Sequence, residues 1–308
     1  MKSKLTGISI LGGSGFIGAS LVEYLLGQGE ESIRILSRNK KTMKSVSIIE
    51  GELMNSESLS ALVSGQGLVI NLAYIKDNHK ANLIAMGKLA DECIKANIPK
   101  FIHCSTAAVA GRVKGNIVDE DTLCNPLSDY EKTKLAIEFL LVSRFKGKVE
   151  LIIVRPTAVF GVGGLNLVQT IGILKGKPRI INILLMMINR HRNLHLVHVM
   201  EVVRSIYHLS NLEQDLSGEK FIISQDDQLH NRYSDLIKYL GMKYGHKPYS
   251  LIYIPFSKSI LMLLLKLRGR SQINPSQLYS SQKLHNYGFY SNSDFTKEID
   301  KFFLVNEK

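Results

Sequence analysis

The chain has 308 residues, 45% of them apolar and 21% charged, which leaves room for one large domain or two modest ones and argues against disorder. Its three cysteines, Cys93, Cys104 and Cys124, are too few and too scattered for a disulfide framework, and no CxxC or Cys/His cluster suggests a metal site, so a reducing cytoplasm is the simplest setting. The net charge of +12 is uneven: residues 1–150 carry 19 basic against 16 acidic side chains and residues 151–308 carry 20 against 11, which suits an anionic ligand such as a diphosphate in the second half. No nucleic-acid recognition motif and no basic run interleaved with aromatics occurs, which sets DNA and RNA aside.

The opening "MKSKLTGISILGG" is basic and then apolar, like a signal peptide. Its apolar run is short, lacks a small-residue cleavage site and leads into a glycine loop, so it reads as a first strand over 7–11. A helix with apolar spacing follows over 16–29, then a β-branched strand over 32–37. A helix ending near Val63 precedes a strand over 68–73. A long amphipathic helix is expected over 78–97, a strand over 100–105, a helix carrying "DYEKTK" (129–134), and a strand over 149–156 stopped by proline. Strand and helix taking turns predicts an α/β fold, a doubly wound parallel sheet. After Pro156 the alternation breaks down. A strand into a helix over 192–210 and a late strand over 219–224 remain, so residues 1–160, joined by roughly 196–224, form the dinucleotide-binding part. Residues 161–195 and 225–308 form a smaller C-terminal substrate lobe.

The longest uncharged apolar runs, "IINILLMMIN" (180–189) and "SILMLLLK" (259–266), fall short of the roughly 20 residues that a membrane span needs. Flanking arginines and lysines permit a peripheral membrane contact. Buried core or pocket wall is the preferred reading.

The segment "ILGGSGFIG" joins the first strand to the first helix, with Gly12, Gly15 and Gly18 in the spacing GxxGxxG. Glycine allows the tight turn and lets backbone approach a pyrophosphate, while the helix start at Phe16 and Ile17 offers N–H groups and a positive dipole end. At the end of the second strand a dinucleotide site for NAD carries an acid. Here Ser37 holds that place and Arg38 follows it, with Lys40 and Lys41 behind. An acid repels a ribose 2′-phosphate, whereas arginine grips one with paired hydrogen bonds, which predicts NADP(H) over NAD(H).

Tyr130 and Lys134 stand four residues apart, hence on one helix face. An ammonium beside a phenol favours the phenolate and lowers its pKa from roughly 10, so the pair is a candidate proton-transfer unit. The same spacing recurs at Tyr239/Lys243 and Tyr279/Lys283, so spacing alone does not choose among them.

Taken together, the glycine loop, "EGEL" (50–53), "NLA" (71–73), "CSTAAVAG" (104–111), "YEKTK" (130–134), "VRPTAVFGVG" (154–163) and "LVHVMEVV" (196–203) resemble the extended short-chain dehydrogenase/reductase family of the NAD(P)-dependent sugar epimerase/dehydratase type. The collinear order singles out Tyr130, which follows "CSTAAVAG" at the family's distance. The resemblance implies that Thr106, with Ser105 as the fallback, bonds the reacting oxygen of the substrate. It implies that Tyr130 is the general acid/base and that Lys134 holds the nicotinamide ribose and keeps the phenol acidic. Glu52 stands where the family places an acid beside the adenine, and Leu53, Leu72, Ala73, Asn82, Pro156 and Thr157 match positions that line the cofactor. His198 matches a family histidine with a structural role. Alanine at 110 and valine at 162 depart from the usual tyrosine and proline.

The C-terminal stretch from "IPFSKS" onward is similar to bacterial members acting on UDP-N-acetylhexosamine derivatives. The resemblance implies an NADP(H)-dependent reductase of a UDP-linked 4-keto-6-deoxy-N-acetylhexosamine in surface-polysaccharide sugar biosynthesis. Its alternative is a UDP-sugar 4-epimerase with tightly bound NAD, and a less favoured reading is a catalytically silent NADP-binding regulator. Arg190, Arg192, Arg268 and Arg270 are candidates to clasp the diphosphate, and relatives imply a homodimer.

Overall fold

In the computed structural model, residues 7–39, 45–164, 167, 189–243, 258–267, 269 and 274–305 are described. Arg268, Arg270, Lys40, Lys41 and nearly all of the 180–189 run lie outside them. The first of two units comprises residues 1–109, 128–156 and 202–221. The chain begins with β1 (Ile8–Leu11), α1 (Phe16–Gly27) and β2 (Ile33–Ser37), then β3 (Ser47–Glu50), α2 (Ser56–Val63) and β4 (Leu68–Asn71). Next come α3 (His79–Lys95), β5 (Lys100–Cys104), β6 (Ile117–Val118), α4 (Asp129–Phe145) and β7 (Glu150–Pro156). Up to β7 the expected strands and helices end within two residues of their expected limits, and β3 and β6 are additions.

With β10 (Glu219–Ile223), the strands form a seven-stranded sheet in the order β10-β7-β5-β4-β1-β2-β3. Every pairing from β7 to β3 is parallel. Ile8 pairs with Ile33 on one side and Leu68 on the other, and Asn71 pairs with His103. These central strands are mostly apolar because helices cover both faces, with Ser9, Asn71, His103 and Arg155 as buried polar exceptions. Leu11, Val69, Phe101 and Ile153 pack with Leu59, Leu62, Leu89, Ile137 and Leu141 of the helices. The chain winds outward from β1 to β3 and then restarts at β4 on the other side of β1. That reversal opens a crevice at the carboxyl ends of β1 and β4, the place where such sheets bind ligands.

The second unit comprises residues 110–127, 157–201 and 222–308. It contains β8 (Ala158–Phe160), which pairs in parallel with β9 (Leu196–His198), and β11 (Leu278–Tyr279), which pairs in parallel with β6. Its helices include α6 (Tyr233–Lys243), α7 (Lys258–Leu267), α8 (Gln282–Asn286) and α9 (Phe295–Val305), while α5 (Val199–Ser210) leads out of β9. Phe160 meets the rings of Phe295 and Phe302 edge-on at 5.4 and 6.2 Å, and Leu196, Leu236, Leu240 and Ile299 complete this core. The apolar 259–266 run lies in α7, where Leu263 and Leu267 are exposed. Among the described residues no helix is long and apolar enough to cross a membrane.

Candidate active site

Gly12 turns the chain out of β1 with φ +79°, and a Cβ there would lie 3.0 Å from the Ala73 nitrogen and 3.1 Å from the Leu72 carbonyl carbon. The loop and the segment after β4 approach that closely because the residue is glycine. At Gly18 a Cβ would stand 2.1 Å from the Gly12 carbonyl oxygen, so the first turn of α1 packs on the loop only without a side chain. Gly15 caps α1 with no side-chain hydrogen bond, and the first turn, which begins with Phe16 and Ile17, has no acidic residue. The positive end of the helix is therefore not cancelled by the protein's own carboxylates. Tight backbone, a bare helix start and a crevice at the sheet's reversal fit the pyrophosphate of a nicotinamide dinucleotide.

At the end of β2 the Ser37 hydroxyl donates to the Asn39 carbonyl (2.9 Å), which folds a small turn that leaves Arg38 exposed. Glu52 is exposed beyond β3, with Leu53 half-buried beside it. Asn82 is committed elsewhere: its amide donates to the carbonyls of Ile75 and Asn78 and accepts from the Ile75 N–H. Its visible work is to shape the loop after β4. Pro156 ends β7, and the Thr157 N–H donates to the Ile223 carbonyl at 3.0 Å.

α4 starts with a capping box in which Ser128 and Glu131 each satisfy the other's backbone N–H, which fixes the first turn where Tyr130 sits. Thr106 lies beside the Tyr130 hydroxyl and acts to lower its pKa, while its own oxygen accepts from the Ala108 N–H at 3.2 Å. Tyr130 stands edge-on to Tyr74 at 5.2 Å. Lys134 is buried below, its ammonium donating to the Cys104 carbonyl at 3.0 Å and lying 5.0 Å over the Tyr74 ring. The structure thus brings Thr106, Tyr130 and Lys134 together within the first unit.

The acidic phenol expected from the lysine one turn away is not what the structure shows. Burial, then Cys104 and Tyr74, push Tyr130 up to about 12, and the neighbouring Thr106 hydroxyl opposes this only in part. The physical reason is direction: Lys134 spends its ammonium on a carbonyl and a ring face rather than on the phenol oxygen. Burial in turn lowers the lysine's own pKa, with Cys104 and Glu138 acting the other way.

The two other Tyr/Lys matches are structural. Tyr239 donates to Asp300 (2.7 Å), which also holds Lys243 in an ion pair and ties α6 to α9. Tyr279 lies in β11, not on a helix, and its N–H donates to Asp226. His198 is buried against Phe160, with Glu298 3.6 Å from its Nε2. Arg190 and Arg192 are exposed in the second unit, where their carbonyls accept from Ser234 and Tyr233.

Sequence reasoning passed over a buried polar layer. Asn71 and His103 bond at 3.1 Å, and Glu138 takes two hydrogen bonds from Arg155 and one from the Ser105 hydroxyl. The signal was available: Glu138 is four residues beyond Lys134, and Arg155 stands in "VRP".

An uncharacterised protein of Sinorhizobium fredii is 31% identical over 170 residues, a match that spans 52% of this chain and 43% of that protein's length. The sterol-4-alpha-carboxylate 3-dehydrogenase, decarboxylating, of Mus musculus is 26% identical over 288 residues, 85% of this chain and 77% of its own. The crystal structure of a UDP-glucuronic acid 4-epimerase from Bacillus cereus in complex with NAD superposes with a TM-score of 0.72 at 19% identity, covering 98% of each chain, a likeness of fold. The NAD dependent epimerase/dehydratase family matches residues 8–223. From the first residue of β1 to the last of β10 that match takes in the glycine loop and the Tyr130 helix alike, and the chain belongs to this family.

Proposed function

We propose that the chain is an oxidoreductase that uses NADPH to reduce the C4 ketone of a UDP-linked 4-keto-6-deoxy-N-acetylhexosamine, in the making of surface-polysaccharide sugars. The observation that carries this reading is the grouping of Thr106, Tyr130 and the buried Lys134, anchored on the Cys104 carbonyl at 3.0 Å, with the phenol pushed up to about 12 and hence protonated near neutral pH. A group in that state is a general acid ready for an oxygen that is becoming an alkoxide. The bound nicotinamide supplies the hydride. Thr106 and Tyr130 hold the substrate oxygen between their hydroxyls, Tyr130 delivers the proton, and Lys134 holds the nicotinamide ribose. The glycine loop from Gly12 to Gly18 takes the pyrophosphate, and the exposed Arg38 takes a 2′-phosphate where an acid would repel it. Glu52, Leu53, Leu72, Ala73, Pro156 and Thr157 line the cofactor, and Arg190 and Arg192 attract the sugar diphosphate.

A second reading, a UDP-sugar 4-epimerase retaining NAD, is favoured by the likeness to the Bacillus cereus epimerase named with that cofactor. The grouping of Thr106, Tyr130 and Lys134 argues against a catalytically silent NADP-binding regulator. Exposed Phe139 and Val142 on α4 and Ile84 on α3 support a homodimer through these helices. Three unbridged cysteines fit a reducing cytoplasm.

The test begins with the nucleotide that co-purifies. Firmly held NAD supports the epimerase, and an empty site that binds NADPH supports the reductase. The protein is then incubated with NADPH and a panel of UDP-4-keto sugars, with UDP-glucuronic acid and a sterol 4-alpha-carboxylate alongside. Loss of the reduced-cofactor absorbance with a UDP-4-keto sugar is the expected result, and turnover of the sterol alone overturns the sugar reading.

A further inference from the structure

Glu138 stands one turn beyond Lys134 and two beyond Tyr130 on α4. Its carboxylate accepts from Arg155 Nε at 3.0 Å and Nη2 at 2.6 Å, and from the Ser105 hydroxyl. All three side chains are buried. Ser105 directly precedes Thr106. Bonds therefore run from the helix that carries Tyr130 and Lys134, through one carboxylate, to the strand end that carries Thr106. Stability alone does not explain such a group. Desolvation offsets most of what a buried ion pair gains, and an apolar pair of similar volume holds a fold as well or better.

The carboxylate also answers a need of Lys134. The groups acting on that ammonium are Cys104 and His103 from β5, Tyr74 from the segment after β4, and Glu138 from α4 itself. Burial pushes the Cys104 thiol up, so it carries no charge near neutral pH. His103 is neutral too: burial, then Lys134, holds it well below the ordinary histidine range. Its Nδ1 accepts from Asn71, whose amide is oriented by the Ala73 N–H at its oxygen. Tyr130 holds its proton. Glu138 is the acidic side chain in this set, and it acts to raise the Lys134 pKa against burial.

We propose that Glu138, anchored by Arg155 and Ser105, is a positioning residue that fixes Thr106 against Tyr130 and keeps Lys134 an ammonium. This rests on reading Thr106, Tyr130 and Lys134 as the reacting and cofactor-holding groups.

Four variants of the full chain separate the roles: Glu138→Gln, Ser105→Ala, the double change Glu138→Leu with Arg155→Met, and Tyr130→Phe. Each is melted, and its NADPH affinity is read by cofactor fluorescence from neutral to alkaline pH, a clean signal because the chain has no tryptophan. Turnover is read on the sugar that the wild type reduces. Glu138→Gln strands the Arg155 charge and lowers the melting midpoint by roughly 10 °C. It also moves the alkaline loss of NADPH affinity to lower pH by about one unit, because Lys134 has lost its anion. The double variant regains the melting midpoint, since neither charge is left unpaired, but keeps the displaced pH limb. Ser105→Ala melts near wild type and loses turnover by about tenfold with KM little changed, because Thr106 is less well held. The proposal falls if the double variant regains the wild-type pH limb as well, or if Ser105→Ala turns over normally. Wild-type turnover in Tyr130→Phe instead removes the reading beneath it.

Discussion

Tyr130/Lys134 and Tyr239/Lys243 share a spacing but not a role. Both tyrosines have a lysine one helical turn on, and both phenols are pushed up, first by burial. In the first pair the lysine is buried and donates to a strand-end carbonyl, which leaves the phenol to Thr106. In the second the lysine reaches the phenol oxygen at 3.5 Å, yet Asp300 accepts the phenol's proton and outweighs the cation. A cation at i+4 therefore does not make an acidic tyrosine. What separates the pairs is the third partner: a hydroxyl beside an open crevice for one, a carboxylate clamp between two helices for the other.

Removing each hydroxyl sharpens that contrast. Tyr130→Phe takes away the group that donates the proton, and turnover is expected to fall by about 10²- to 10⁴-fold. NADPH affinity changes little, because Lys134 and the glycine loop remain. Single-turnover rates with fluorescence titration of the cofactor check both halves, and a variant within twofold of wild type breaks the assignment.

The alkaline titration is a smaller effect with a definite sign. The unfolded chain gives up the Tyr130 proton near 10, the folded chain at about 12. Between those values the native state holds a proton that the unfolded state has lost. The contribution of Tyr130 to stability is full below pH 10 and declines as pH rises through the folded value. The residue is 43% exposed, so solvent screens much of this. The chain has 12 tyrosines and no tryptophan, so an ultraviolet difference titration of wild type against Tyr130→Phe isolates one phenol. A midpoint below 10 in that difference would restore the acidic phenol that spacing suggested.

The sheet was legible because parallel strands buried on both faces announce themselves as short apolar runs between amphipathic helices. β3 was not: "SIIE" follows a basic stretch, and its half-buried, polar-edged pattern blends into the loop. β6 and β11 have two residues each and pair Ile117 with Leu278, a contact across more than half the chain that no local pattern encodes. At the site, residue types and order indicated Thr106, Tyr130 and Lys134, but not where the lysine points. That direction depends on the Cys104 carbonyl and the Tyr74 ring, which tertiary packing alone brings under one helix. Asn82 shows the same limit, since only the fold reveals that its amide is used up by the loop.

The smallest effect completes the comparison. Tyr239→Phe removes the hydrogen bond to Asp300 but leaves the Lys243 ion pair and the His230 ring stacked at 4.4 Å. A partly exposed bond of this kind is worth about 1 kcal/mol, and the freed carboxylate oxygen can turn to water. Stability should drop by that amount in urea unfolding, with turnover and NADPH affinity at wild-type levels. If turnover instead fell as far as in Tyr130→Phe, the clamp between α6 and α9 would have to be read as part of the chemistry, and the distinction drawn from the third partner would fail.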